Sequence, residues 1–275
     1  MAAIPRAGPH RTVKDDQVIA HYLRTFDRSR IALRTLGGSA VTVMHPTKGA
    51  GSRSWRAWAL RCNDHHVNLY GRVFAAGYDG MFARSERAGL SQKRARLVSL
   101  AHGRTVELGA GTGLNLRHYQ RDGIDLTLTE PEAPMATRLA RRVHEERPGT
   151  AVIRASAEHL PFDDASCDSV VATLVLCTVS DQAAALAEVR RVLKPGGSLL
   201  FLEHVRSDHA RVARWQDLLQ PLWVHIGHGC HCNLDTLAGI RNAGFEVNQL
   251  EHDQLPAAPA VVRPLIIGSA TPTAR

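Results

Sequence analysis

The chain has 275 residues, 44% of them hydrophobic and only 5% aromatic, with 34 Lys+Arg against 26 Asp+Glu for a net charge of +8. That composition excludes a disordered chain and fits one soluble globular domain of ~100–200 residues with an additional segment. No apolar run approaches the ~18 residues needed to cross a bilayer. The five cysteines, Cys62, Cys167, Cys177, Cys230 and Cys232, are odd in number and follow no signal peptide, which argues against a disulfide framework and for a reducing, cytoplasmic compartment.

Residues 1–103 hold 17 Lys+Arg and 6 Asp+Glu, whereas residues 104–275 hold 17 and 20. An enzyme acting on nucleic acid would line its working domain with positive charge; this chain confines its basicity to the first part, so no nucleic-acid partner is expected. Residues 1–66 lack sustained periodicity and carry turn clusters such as Gly37-Gly38-Ser39 and Lys48-Gly49-Ala50-Gly51-Ser52. They read as a basic, poorly ordered extension. Within it, 54–61 mixes Trp55 and Trp58 with arginines, a pattern compatible with at most a peripheral membrane contact; a short solvated helix or coil is the plainer reading.

From Val67 to about Ala101 the pattern is helical, with Gly77, Gly80 and Gly89 expected to break it into two helices. Residues 67–103 therefore read as a helical lid ahead of a domain over 104–275. There, strands are expected near 104–108, 125–129, 151–154, 168–173, 198–203, 245–250 and 262–268, with helices near 115–121, 133–146, 182–193, 207–219 and 234–243. Strict alternation specifies an α/β fold, a Rossmann-like doubly wound sheet of seven strands. Pro256 and Pro259 join the last two strands without a helix, which permits a hairpin and an antiparallel final strand.

The strongest local signal is Thr105-Val106-Glu107-Leu108-Gly109-Ala110-Gly111-Thr112-Gly113-Leu114, an apolar strand running into alternating glycines and a predicted helix. Such a turn lets backbone approach a ligand closely. The Gly-x-Gly-x-Gly spacing puts Leu114 where a dinucleotide fingerprint needs its third glycine, which disfavours a nicotinamide dehydrogenase. Glu130 ends the second strand about twenty residues on, where a carboxylate can accept hydrogen bonds from ribose hydroxyls; taken alone it could equally cap the next helix. Together, turn and carboxylate imply a nucleoside-bearing cofactor.

Three further stretches follow in order: Ile153 to Phe162, Cys167 to Leu176, and Glu188 to Gly197. With these the chain resembles class I S-adenosylmethionine-dependent methyltransferases of the small-molecule type, which includes the ubiquinone/menaquinone-biosynthesis enzymes. That resemblance implies S-adenosyl-L-methionine as cofactor. It places Glu107, Gly109, Ala110, Gly111 and Gly113 at its methionine part, Glu130 and Pro131 at its ribose, Ser156, Ala157 and Glu158 along its adenine, and Thr173 and Leu174 beneath its sulfonium. Many relatives carry Asp in place of Ser156.

A closer resemblance, to the alkyl thiol methyltransferases and their bacterial relatives, lies in Thr173 to Val179, Phe201 to Val205, Trp215-Gln216, Pro221-x-Trp223, Gly229-Cys230-x-x-Asn233-Leu234 and Val262-Arg263-Pro264. It implies a small, apolar methyl acceptor, a thiol first, with a quinone precursor or phospholipid amine as runner-up. A non-catalytic cofactor sensor is the rival of another class. His204 and His225 are the candidate catalytic residues, and Cys177, Trp223, His228 and Cys230 the candidate acceptor contacts. The run His225-Ile226-Gly227-His228-Gly229-Cys230-His231-Cys232 invites a zinc reading, but no second ligand pair stands at finger spacing and methyl transfer needs no Lewis acid, so no metal is expected. Nothing in the sequence specifies an oligomeric state.

Overall fold

A computed structural model of the chain describes residues 69–120 and 122–273, and the backbone of three short strands before them. Those strands, β1 (Arg34–Thr35), β2 (Val41–Pro46) and β3 (Trp55–Ala59), form a small antiparallel sheet in the order β1-β2-β3. Trp55–Ala59 is thus extended, not the helix or coil expected of 54–61. The turn clusters of the first 66 residues and Cys62 lie outside the described residues.

A second compact unit spans Val67–Arg275. It opens with helix α1 (Leu69–Ser85), a π-helical turn at Glu86–Leu90, and helix α2 (Ser91–Val98). Only Gly89 breaks the helical path, at φ 127°. Gly77 and Gly80 stay inside α1, because a helix tolerates each glycine at a cost of only ~1 kcal/mol.

Seven strands follow: β4 (Gly103–Leu108), β5 (Ile124–Thr129), β6 (Ala151–Ile153), β7 (Cys167–Thr173), β8 (Leu193–His204), β9 (Phe245–Gln254) and β10 (Pro264–Pro272). Helices α3 (Ala133–Glu146), α4 (Gln182–Val192), α5 (Ala210–Ile226) and α6 (Thr236–Asn242) intervene. The sheet order is β6-β5-β4-β7-β8-β10-β9, and β10 alone runs antiparallel to its neighbours. The chain runs outward from β4 to β6 and then the other way from β7 to β8, so the switch lies between β4 and β7, and the carboxyl ends of these strands open the crevice where such folds bind ligands.

Alternation along each strand supplies two cores, one per face. Val106, Leu108, Val170, Ala172, Leu199 and Phe201 pack on one side; Leu126, Leu128, Val171, Leu200 and Leu202 on the other. Helix α3 turns Met135, Ala136, Leu139 and Val143 inward at helical spacing. Asp181 and Asp235 cap α4 and α6 by accepting from the Ala184 and Ala238 amides.

Two expectations fail here for local reasons. Residues 115–121 form no α-helix but a single 3-10 turn, Leu116–His118, ending at an extended Tyr119; Asn115, which would start the helix, commits its side chain to the sheet below. Strand β8 begins five residues before the expected Ser198, pairing Leu193 with Cys167 across an irregular Lys194–Gly197. Helix α5 extends to Ile226, through Pro221. Among the described residues no helix is long and apolar enough to cross a membrane.

Candidate active site

Strand β4 delivers the chain into a turn in which Gly109, Gly111 and Gly113 all have positive φ. At Gly109 (φ 50°) a Cβ would also overlap the side chain of Val175, so the position is closed to any larger residue. The Gly111 amide donates to Glu130 Oε2 at 2.8 Å, and the Glu132 amide to Glu130 Oε1 at 2.9 Å. Ala110, 7% exposed, ties the turn to β5 through its amide and the Thr129 carbonyl, 2.8 Å apart. Glu130 is buried, and burial raises its pKa while the Glu132 and Gly111 amides oppose that shift. Each carboxylate oxygen retains a lone pair beyond the amide it accepts, which suits the two hydroxyls of a ribose.

Beneath the turn lies a buried polar network. Arg94 of α2 donates to Glu86 Oε1 (2.8 Å), Asn115 Oδ1 (3.1 Å) and Thr173 Oγ1 (3.2 Å). Asn115 Nδ2 in turn donates to Glu107 Oε1 (3.0 Å) and Thr173 Oγ1 (2.8 Å). Burial pushes Glu107 up to about 7, against the pull of Tyr119, Asn115 and Arg94. Its carboxylate also faces the buried Tyr119 phenol. A narrow cavity adjoins it, lined by Tyr78, Arg94, Glu107, Gly109, Ala110, Leu114, Asn115 and Thr173. A buried carboxyl beside the cavity, a glycine turn that lets backbone come close and an acidic strand end together fit a cationic, ribose-bearing cofactor.

Helix α1 lies over this turn. The Tyr78 ring sits 3.8 Å from where a Gly111 Cβ would stand, and Asp79 accepts from Thr112 Oγ1 and from Arg142, both at 2.5 Å. Burial raises the Tyr78 phenol to about 12, so it stays protonated at neutral pH.

On the expected adenine side, Ala157 is buried and Ser156 half-buried, while Pro131 is exposed with its carbonyl accepting from Arg154. Glu158 Oε1 accepts the Ser180 and Asp181 amides at 2.9 and 3.3 Å. That carboxylate therefore fixes the entry to α4 before anything else.

The candidate acceptor residues divide into two groups. Leu174 (φ 57°) leaves β7 in a left-handed conformation, and the next two amides, Val175 and Leu176, donate to Glu203 Oε1 at 3.1 Å each. This turn delivers Cys177 beside His204, the last residue of β8. The His231 amide donates to the Cys177 carbonyl at 2.7 Å, which draws Cys230 onto the same spot. Gln216, wholly buried on α5, accepts the Ser207 amide and donates to the Val205, Cys232 and Val261 carbonyls. Cys177, His204 and Cys230 consequently meet, all buried, with Cys230 Sγ 3.7 Å from Cys177 Sγ and 3.6 Å from His204 Nδ1. Cys230 is the acidic member of the pair: the Cys177 thiol, then His204, hold it well below the usual thiol range.

Trp223 packs half-buried against the same core as these cysteines. His228 stacks on Phe74 of α1, ring centroids 4.3 Å apart. His225, by contrast, is exposed on α5, with Nδ1 2.8 Å from the Pro221 carbonyl one turn back. The run from His225 to Cys232 does not converge. His231 turns to Gln220 and Cys232 to Gln220 Oε1, and only Cys230 of the run reaches the buried cluster.

The sequence offered signals for most of this, with three omissions. Nothing local marks Arg94, or Asn115 at the start of the helix expected near 115–121, as buried. Tyr78 lay inside an apolar helical pattern, where aromatics ordinarily pack.

Comparison with known proteins identifies the family. A family model described as a methyltransferase domain matches residues 106–201. The thiol S-methyltransferase TMT1B of Rattus norvegicus is 36% identical over 217 residues, covering 78% of this chain and 88% of its own. The Homo sapiens thiol S-methyltransferase TMT1B is 37% identical over 169 residues, 60% of this chain and 69% of its own. Among solved structures, a SAM-dependent methyltransferase of Thermotoga maritima, described as a possible histamine N-methyltransferase, superposes with a TM-score of 0.56 at 25% identity. It covers 74% of this chain and 98% of that one.

Proposed function

The chain belongs to the S-adenosylmethionine-dependent methyltransferases, and from that premise we propose that it methylates the sulfur of a small, apolar thiol. The observation that carries this reading is the extent of the likeness to a thiol S-methyltransferase, 88% of whose length is covered, a span too long to be the cofactor-binding half alone. S-Adenosylmethionine supplies a methyl group activated by its sulfonium; everything else falls to the protein.

The glycine turn and Glu130 would hold the methionine and ribose parts, with Pro131, Ser156 and Ala157 at the rim. Thr173 and Leu174, at the end of β7, would stand below the reacting centre. Because methyl transfer is an in-line displacement, the protein acts chiefly by aligning acceptor and methyl carbon and by excluding water, which contributes ~7–11 kcal/mol. Helix α1, through Tyr78 and Asp79, supplies the cover, so residues 67–103 act as a lid. The buried Cys177, His204 and Cys230 with the half-buried Trp223 and with His228, stacked on Phe74, form the acceptor wall. A thiol acceptor requires little more than ionisation, since its anion is strongly nucleophilic.

The direct test is formation of S-adenosylhomocysteine with and without a short alkyl thiol, in wild type and Gly111→Val. Thiol-dependent product in wild type and none in the variant is the expected result. Cofactor binding with no thiol-dependent product would exclude the thiol.

A further inference from the structure

Three side chains from remote parts of the chain, each pinned by backbone hydrogen bonds, bring one nitrogen and two sulfurs together. The two sulfurs lie 3.7 Å apart, and His204 Nδ1 stands 3.6 Å from Cys230 Sγ and 3.9 Å from Cys177 Sγ. A tetrahedral zinc with Zn–S near 2.3 Å and Zn–N near 2.0–2.1 Å needs S···S of about 3.8 Å and S···N of about 3.6 Å. The observed triangle is therefore one face of such a tetrahedron before any side chain moves.

His204 is 6% exposed and turns its Nδ1 to both sulfurs. Among the described residues no fourth His, Cys, Asp or Glu joins the group, and Cys232, two residues on, directs its sulfur to Gln220. A two-Cys, one-His set with an open fourth position is the donor arrangement of a catalytic zinc, whereas a structural zinc closes all four. Cys177 and Cys230 also share one apolar core with Ala110 of the glycine turn and Leu174 below it.

We propose that Cys177, His204 and Cys230 form a three-ligand site for a soft divalent cation, zinc first, whose open position takes the sulfur of the methyl acceptor. The acceptor role rests on the thiol reading given above; the cation site itself does not. On binding, the acceptor thiol gives its proton to solvent and its sulfur bonds the cation as a thiolate, since a coordinated thiol is deprotonated outright. A sulfur lone pair then forms the new S–CH3 bond while the methyl–sulfonium bond breaks, its electron pair staying on the sulfur of S-adenosylhomocysteine. The neutral thioether has lost its charge and leaves the cation. With the acceptor thiolate bound, three thiolates and a divalent cation carry one net negative charge, which the positive sulfonium balances until the methyl group has moved.

The test uses the full chain, reduced and stripped of metal, with Co2+ as the optical probe. One equivalent should produce thiolate-to-cobalt charge transfer and the intense visible bands of a tetrahedral site, and Zn2+ should displace it. Cys230→Ser and His204→Gln should each weaken Co2+ binding by about tenfold or more while still binding S-adenosylhomocysteine, which reports an intact fold. In wild type alone, Zn2+ should protect two thiols from alkylation, a readout independent of any variant. Fully reduced wild type that shows neither cobalt bands nor zinc protection overturns the site. Cobalt bands that a methylated thiol leaves unchanged overturn the acceptor role. Cobalt bands in a protein that methylates no thiol keep the site and remove the thiol reading instead.

Discussion

The two halves of the active chamber are built by opposite means. On the cofactor side, residues 105–114 are contiguous, and Glu130 stands one strand away with its carboxylate on the Gly111 amide. On the acceptor side, Cys177, His204 and Cys230 come from a turn after β7, the end of β8 and the segment after α5, and none contacts another through local sequence. A contiguous turn needs only the right backbone, so glycines specify it. A convergent wall needs several tertiary anchors at once, here Glu203, Gln216 and the His231 amide, and it fails as a unit when one is lost.

Substitutions can break this contrast, in decreasing order of effect. Gly111→Val places a branched side chain at φ 59° facing Tyr78; product formation should fall by ~100-fold or more, measured by single-turnover kinetics, while backbone strain of ~1–3 kcal/mol lowers the unfolding midpoint in denaturant titration without abolishing the fold. Arg94→Ala removes the nearer of the two cations paired with the buried Glu86, leaving Arg117 at 3.8 Å, and should destabilise the protein by about 3 kcal/mol in urea unfolding. A loss below ~1 kcal/mol would show that the network under the turn is not a buried ion pair.

Gln216→Ala leaves the Ser207 amide and three carbonyls without their side-chain partner, and should cost about 1–3 kcal/mol. It should also weaken acceptor-dependent turnover more than cofactor affinity, and an equal loss in both would dissolve the division into two halves. Glu130→Gln should do the reverse, raising the cofactor Kd by ~10-fold, about 1.4 kcal/mol, in calorimetry.

The smallest effect is on pH dependence. Burial raises Glu203 to about 7, against the Leu176 and Val175 amides. A carboxyl whose pKa is higher folded than unfolded stabilises the fold most below the unfolded value and loses that contribution as pH rises through the folded one. Thermal stability of the wild type should therefore decline between about pH 5 and 8, and Glu203→Gln should flatten that decline. Glu107, also raised to about 7, leaves a residual slope. A steeper decline in the variant would sink this assignment.

Sequence patterning reached far into the fold because the fold is patterned. Strands β4, β5 and β7 alternate apolar residues on a buried sheet, α3 repeats them at helical spacing, and both periods are visible without knowing any contact. Patterning misread 115–121 because Asn115 and Leu116 have helical character locally, and only the bonds from Asn115 to Glu107 and Thr173 decide otherwise. It also singled out His204, Cys177 and Cys230 one at a time, while grouping Cys230 with the histidines beside it in sequence, of which His225 is exposed and His228 stacks on Phe74.

By itself the sequence determined the sheet, the glycine turn and the acidic strand end, since each rests on backbone geometry and hydrophobic period, both of which are local. Only the tertiary structure decided that Arg94 is buried, that Tyr78 covers the turn, and that two cysteines and a histidine share one face of a tetrahedron. Those facts depend on the distance between segments 26 to 79 residues apart, and a one-dimensional pattern carries no measure of that distance.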